Sequence, residues 1–291
     1  MSIFQDANRK QINHRRKKDL VLHLVFIAAT SVGIIALMAL IISILADGLA
    51  KVTPELFTNY PSRLASRAGM KSAVVGSIYM VLIMAPLSFI LGVGAAIYLE
   101  EYAPKNKFTS LIQLNISTLA GVPSIVYGIL GLTIFVRTFG FGRSLLAGAL
   151  TMTLLILPII IVSSQEAIRA VPRARRDASF ALGANKWQTV SRSVLPSSIS
   201  GILTGVILAL SRAIGETAPL VMIGALSFVA FLPKNILDQF TVMPIQIFNW
   251  MSRPQLEFQQ LAAGGIIVMM VFLVLMNISA IIIRNKYQKN I

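Results

Sequence analysis

Six apolar runs, each long enough to cross a bilayer as a helix, dominate the sequence: Leu20–Ala46, Ala73–Leu99, Thr109–Val136, Ser144–Ser163, Ile199–Leu232 and Leu261–Ile283. About 20 apolar residues span the hydrocarbon core. Each run is apolar all round rather than along one stripe, as burial in lipid or in a bundle requires. Strands of a membrane β-barrel would instead be short and alternating. The expected fold class is an all-α integral membrane protein with six transmembrane helices. Composition agrees: 56% of the 291 residues are hydrophobic, 13% are charged, and mean hydropathy is +0.77. A soluble chain of this length cannot hide that much apolar surface.

Basic residues orient the spans. With the N-terminus inside, 17 Lys and Arg fall in inner segments and eight in outer ones, while Arg212 lies within a span. Both termini are therefore expected to be cytoplasmic. The chain divides into a basic tail, 1–19, a six-span domain, 20–283, and a short cytoplasmic tail, 284–291. The net charge of +15 gathers mostly on the inner side. The stretch "NRKQINHRRKK" reads as a topology determinant meeting anionic lipid rather than as a nucleic-acid arm. No secretory signal is evident, because the first run is too long and lacks a small-residue cleavage site.

Several chemistries are excluded by residue usage. Cysteine is absent, and the two histidines, His14 and His23, sit near the N-terminus. No thiolate or histidine metal site is expected, and no paired carboxylates or nucleophile set occurs within the spans. Without a GxxxxGK[ST] loop the chain offers no phosphate cradle for ATP, so no enzyme activity or bound cofactor is expected of it.

The third run contains "GVPSIVYGILG", Gly121 to Gly131. Pro123 removes a backbone donor in mid-membrane, which is tolerated only where a neighbouring helix or a cavity satisfies the freed carbonyl. Gly201 and Gly205 form a GxxxG suited to close helix approach.

One inner connection, 165–198, is long and punctuated: "QEAIRAVPRARRDASFALGANKWQTVSRSVLPSSISG" begins there. Pro172 should stop one helix, and Arg175–Leu182 and Lys186–Val194 read as two short helices around Gly183. Glycine accepts the left-handed conformation of a helix C-terminus. Pro196 should close the second piece before the fifth span. Ala178, Phe180, Ala181 and Trp187, flanked by Arg173, Arg175, Arg176 and Asp177, suit a docking element. They equally suit an interfacial helix pair with Trp187 in the aromatic belt.

Asp177-Ala178-Ser179, three residues, Gly183, then Leu195-Pro196 at the matching distance resembles the signature of ABC-importer permeases. That pattern is Glu-Ala-Ala, three residues, Gly, nine residues, an apolar residue, any residue, Leu-Pro. Asp177, Ser179 and Ser193 depart from it. "ALGANKWQTVSRSVLP", "SRAIGETAPLVMIGA" and "MPIQIFNWMSRPQLEFQQLAAGGI" resemble more narrowly the A-type permeases of phosphate-specific (Pst) importers. The resemblance implies a type I-like importer permease in a bacterium-like cell membrane. It also implies a coupling helix seated on a separate ATPase, with Asp177, Ala178, Ser179, Gly183, Leu195 and Pro196 in the coupling element. The implied partners are a second, homologous permease, two ATP-hydrolysing subunits that use the ATP, and an extracytoplasmic phosphate-binding protein. Asp47–Ser72 and Pro233–Gln260 are candidates for meeting that protein, with Trp250 an alternative interfacial anchor.

Arg212 and Glu216 are the only ionisable residues between Arg192 and Lys234. Arg212 lies about 14 residues into the fifth run, roughly 20 Å along a helix and near the middle of the bilayer. A charge there facing lipid costs about 2.5–3.5 kcal/mol. A spacing of four puts both on one helical face, free to pair and to point into the bundle. The plain reading is a structural ion pair, which adds little net stability. Thr217 and Pro219 just beyond suggest a bend or opening, which favours a lined pathway. A guanidinium presents donors in a fork that fits a tetrahedral oxyanion. Glu216 can accept a hydrogen bond from protonated phosphate, whereas sulfate offers none. The alternatives are a permease for sulfate, molybdate or phosphonate, and an ATP-independent carrier or channel. Carriers often show internal repeats, and the two halves here show none.

Overall fold

The computed structural model describes the backbone of residues 2–225 and 228–288. Side chains are described from Lys18 onward, apart from positions 226–227, 283 and 287–291, so those of the basic tail lie outside the described residues. Among the described residues there are helices and connections but no strand. Helix α1 (Ser2–Gly48) packs mainly along α12 (Leu256–Gln288), and the rest of its apolar surface is exposed. Gly48 permits that approach: a Cβ there would lie 2.6 Å from the Ala263 carbonyl carbon.

Helix α6 (Leu145–Arg169) is the hub, packed between α3 (Lys71–Ile97) and α9 (Leu195–Gly215). Met152, Ile156 and Ile160 on α6 are fully buried. The expected GxxxG approach is present: Gly201 faces the Ala167 methyl group, and Gly205 backs on to Ser163 with no room for a Cβ. At the N-terminal end of α3, the Ser72 hydroxyl donates to the Val229 carbonyl at 2.7 Å. The Met243 amide, opening α11 (Met243–Met251), donates to the Ser77 hydroxyl at 2.9 Å. Trp250 is neither exposed nor an interfacial anchor. It is fully buried in a second apolar cluster with Leu56, Met70 and Phe258, because α11 folds back against α12.

Two of the six expected spans are broken. Thr109–Val136 is not one straight crossing but α4 (Lys107–Leu119) and α5 (Ser124–Gly131), meeting at 105°. Residues Leu132–Thr138 extend α5 as a π-helix. The cause is Pro123, which has no N–H for the carbonyl of Leu119 four residues back. The Tyr127 hydroxyl donates to that carbonyl at 2.8 Å and the Val122 amide at 3.1 Å, so the break leaves no orphan there. Counting the bent pair as one, the described residues hold six candidate spans.

Ile199–Leu232 likewise stops being a helix midway. Helix α9 ends at Gly215, Glu216 turns out at ψ 129°, and α10 (Ala218–Ile223) follows. Gly224, at φ +84°, ends α10, and no helix resumes among the described residues until α11. Pro196, in contrast, breaks nothing. Helix continues from Lys186 to Gly215, and a π-helical stretch at Val190–Val194 absorbs the donor that Pro196 lacks.

Candidate translocation site and coupling face

Arg212 occupies the last turn of α9, and Glu216 is the residue that leaves the helix. Their side chains meet at 3.6 Å, Nε to Oε1. That is an ion pair but too long for a hydrogen bond. The pair forms, yet it does not point into this chain's own bundle. The Arg212 side chain keeps 58% of its area exposed and that of Glu216 21%. Leu208, Arg212 and Gly215 share one exposed stripe of α9, which α6 and α12 leave uncovered. Thr217 is half-buried at the break and makes no side-chain cap. Behind the break, α10 packs on α5 at Gly128, where a Cβ would sit 2.8 Å from the Pro219 Cα. On the other flank, the Ser211 hydroxyl donates to Asn277 Oδ1 at 2.6 Å and joins α9 to α12. The Arg143 side chain fills the space over Gly224 at the C-terminal end of α10, and Arg137 is exposed.

The second cluster lies at the C-terminal ends of α3 and α6. Helix α7 (Arg173–Ala181) and the short α8 (Lys186–Thr189) form the two pieces expected around Gly183, whose φ is +81°. The Asn185 and Gln188 side chains close a capping box on α8. Asp177, Ala178, Gly183, Phe180, Leu182 and Trp187 are exposed. The Ser179 hydroxyl bridges to Thr189 at 2.9 Å and ties α7 to α8. Leu195 and Pro196 are half-buried where α9 begins, with Leu195 against the main core.

A clamp that residue patterns along the chain did not single out holds this protruding pair. A π-helical turn, Tyr98–Tyr102, extends α3 and carries Glu100 and Glu101. Glu101 takes two hydrogen bonds from Arg176, at 2.7 and 3.1 Å, and the same guanidinium donates to the carbonyls of Val171 and Ile168. Both side chains are largely buried, 19% and 11% exposed. Glu100 accepts from Gln165 at 3.1 Å and pairs with Arg169 on the last turn of α6. Arg175 reaches the Ser197 hydroxyl on α9. Lys186 lies 5.1 Å over the Tyr102 ring. The only signal in the sequence was a pair of adjacent carboxylates ending an apolar run, at the basic side of the protein.

Residues 88–289 match the family described as binding-protein-dependent transport system inner membrane components. This chain belongs to that family. The permease is 31% identical to the phosphate transport system permease protein PstA of Yersinia pestis, over 97% of this chain and 95% of that one. It is 32% identical to the probable ABC transporter permease protein YqgI of Bacillus subtilis, over 84% of this chain and 87% of that one. Among solved structures it resembles the inward-facing MetNI methionine ABC transporter, with a TM-score of 0.62 and 16% identity over 74% of this chain and 94% of that one. At that identity the likeness is one of fold. Together with the family match, it places the permease among all-helical ABC importer permeases of the membrane.

Proposed function

We propose that the permease is one half of a translocation pathway that carries inorganic phosphate into a bacterium-like cell. The reading rests above all on its likeness to PstA, which runs over nearly the whole chain. In this reading both termini are cytoplasmic, as the basic-residue asymmetry requires. A second, homologous permease covers the exposed stripe of α9, so that Arg212 faces a conduit between subunits rather than lipid. Its loose partner Glu216 leaves the guanidinium fork free for an oxyanion and moderates the hold, so that the ion can leave. Two ATPase subunits dock on α7 and α8, hydrolyse the ATP, and drive rocking of α9 through the inner clamp. The chain itself hydrolyses nothing and binds no cofactor. An extracytoplasmic phosphate-binding protein meets outer residues within 47–72 and 233–260.

The test is ATP-driven uptake of labelled phosphate by the assembled transporter in proteoliposomes, in competition with sulfate, molybdate and a phosphonate. Phosphate alone should compete. Equal competition by sulfate would assign the pathway to oxyanions in general, and uptake without ATP would assign the chain to a carrier or channel.

A further inference from the structure

Beside α4, under the inner end of α6, lies a cavity of about 500 Å³ whose walls include Lys105, Asn106, Ser110, Gln113, Arg169 and Arg173. Its cations are not spent equally. Arg169 is held by Glu100 and Glu166, and Glu100, the carboxylate on the wall, is taken up by Arg169 and Gln165. Lys105 and Arg173 have no ion-pair partner among the described residues, so the pocket keeps unneutralised positive charge. Asn106 uses its side-chain oxygen to cap α4 through the Thr109 amide at 2.8 Å. The Ser110 and Gln113 side chains make no hydrogen bond among the described residues and face the same space.

The neighbouring surface decides which anion fits. Helix α4 turns 105° away from α5, so it does not continue the crossing that α5 begins. Its far face exposes Phe108, Leu111 and Leu114. Ser110 and Leu114, one turn apart, mark where the polar wall passes into the apolar face. A helix with an apolar face beside cations suits the plane of the membrane interface, and basic pockets between spans on the cytoplasmic side take phosphate headgroups. A free anion would use the cations but not the apolar face continuous with them.

We infer that this pocket binds the phosphodiester headgroup of an anionic phospholipid from the cytoplasmic leaflet. Lys105 and Arg173 contact the phosphate, and the acyl chains lie along Phe108, Leu111 and Leu114. The site shares Glu100 and Arg169 with the inner clamp, so an occupying lipid braces the base of the coupling helices. The leaflet assignment rests on the orientation proposed above. The binding chemistry does not depend on it.

The experiment is equilibrium binding of a fluorescent short-chain phosphatidylglycerol to the complete, delipidated transporter in neutral detergent. Phosphatidylcholine and inorganic phosphate serve as competitors. Replacing both Lys105→Gln and Arg173→Gln should weaken phosphatidylglycerol binding roughly thirtyfold, about fivefold per cation. Lys105→Arg should retain it, as should Lys234→Gln on the outer side, and phosphatidylcholine should compete poorly. Unchanged affinity in the double variant, or equal competition by phosphatidylcholine, would overturn the site. Full displacement by inorganic phosphate would make it a free-anion pocket and likewise overturn the lipid assignment. Binding in detergent is blind to sidedness and needs no uptake. A wrong orientation or substrate would show instead in labelling of the N-terminus or in the transport assay.

Discussion

Two of the permease's arginine–carboxylate pairs share chemistry and little else. Arg176 and Glu101 meet at 2.7 Å with both side chains largely buried, and the guanidinium has two carbonyl partners besides. Arg212 and Glu216 meet at 3.6 Å, with most of the arginine exposed. A guanidinium with four of its five donors spent on fixed acceptors is a fastener. One held loosely by a single oxygen keeps its fork for something else. The first pair joins residues 75 apart and fixes α7 to the end of α3. The second joins residues one turn apart, and it sits where α9 stops. Removing an arginine should therefore have opposite signatures at the two places.

The largest effect is expected at the loose pair. Arg212→Ala should lower phosphate uptake by about two orders of magnitude, the loss of charge-assisted contacts worth about 3 kcal/mol. The melting temperature of the assembled complex should not move. Arg212→Lys, with charge but no fork, should fall between. Wild-type uptake by Arg212→Ala in a normally assembled complex would remove the pair from the path. At the tight pair the order reverses. Arg176→Ala should destabilise the complex by about 2 kcal/mol, since it strands Glu101 with little solvent. ATP hydrolysis should persist while phosphate moved per ATP falls. Exchanging the two residues, Arg176→Glu with Glu101→Arg, should restore part of the stability, and no restoration would mean that the ion pair is not the fastener.

Smaller changes sharpen the contrast. Gly205→Ala forces a methyl group on to Ser163 at the α6–α9 seam and should cost about 1–2 kcal/mol through overpacking. If it slows uptake more than its loss of stability explains, α9 must move along α6 during transport. The smallest effect concerns the loop between α10 and α11. The Asp238 carboxylate accepts from the amides of Asn235 and Lys234, which hold its pKa below the ordinary value. Its backbone carbonyl in turn receives the Leu145 amide at the start of α6. A depressed acid stabilises the fold above its unfolded-state pKa, and that contribution disappears as pH falls through the folded-state value. Asp238→Asn should therefore melt slightly lower at neutral pH and like the parent in acid.

Much of this was legible along the chain. The apolar runs marked where the helices lie, the GxxxG foretold a close helix approach without naming its partner, and Thr217 with Pro219 foretold a break in the fifth run. Pro123 was visible as a defect, but not as a near right angle, because its consequence depends on whether Tyr127 can reach the Leu119 carbonyl. Pro196 looked equally disruptive, and a π-helical stretch absorbed it. Trp250 looked like a surface anchor, and folding back of α11 buried it.

By itself the sequence determined that the chain lives in a bilayer, roughly where it crosses, and that one charge pair is kept in the fifth run. These are local properties, set by which residues neighbour one another within a turn or a span. The tertiary structure alone decided which carboxylate of the clamp meets which arginine, and which face of α9 stays open. The clamp depends on groups 65 to 75 residues apart arriving within hydrogen-bond distance, and no local pattern encodes that meeting.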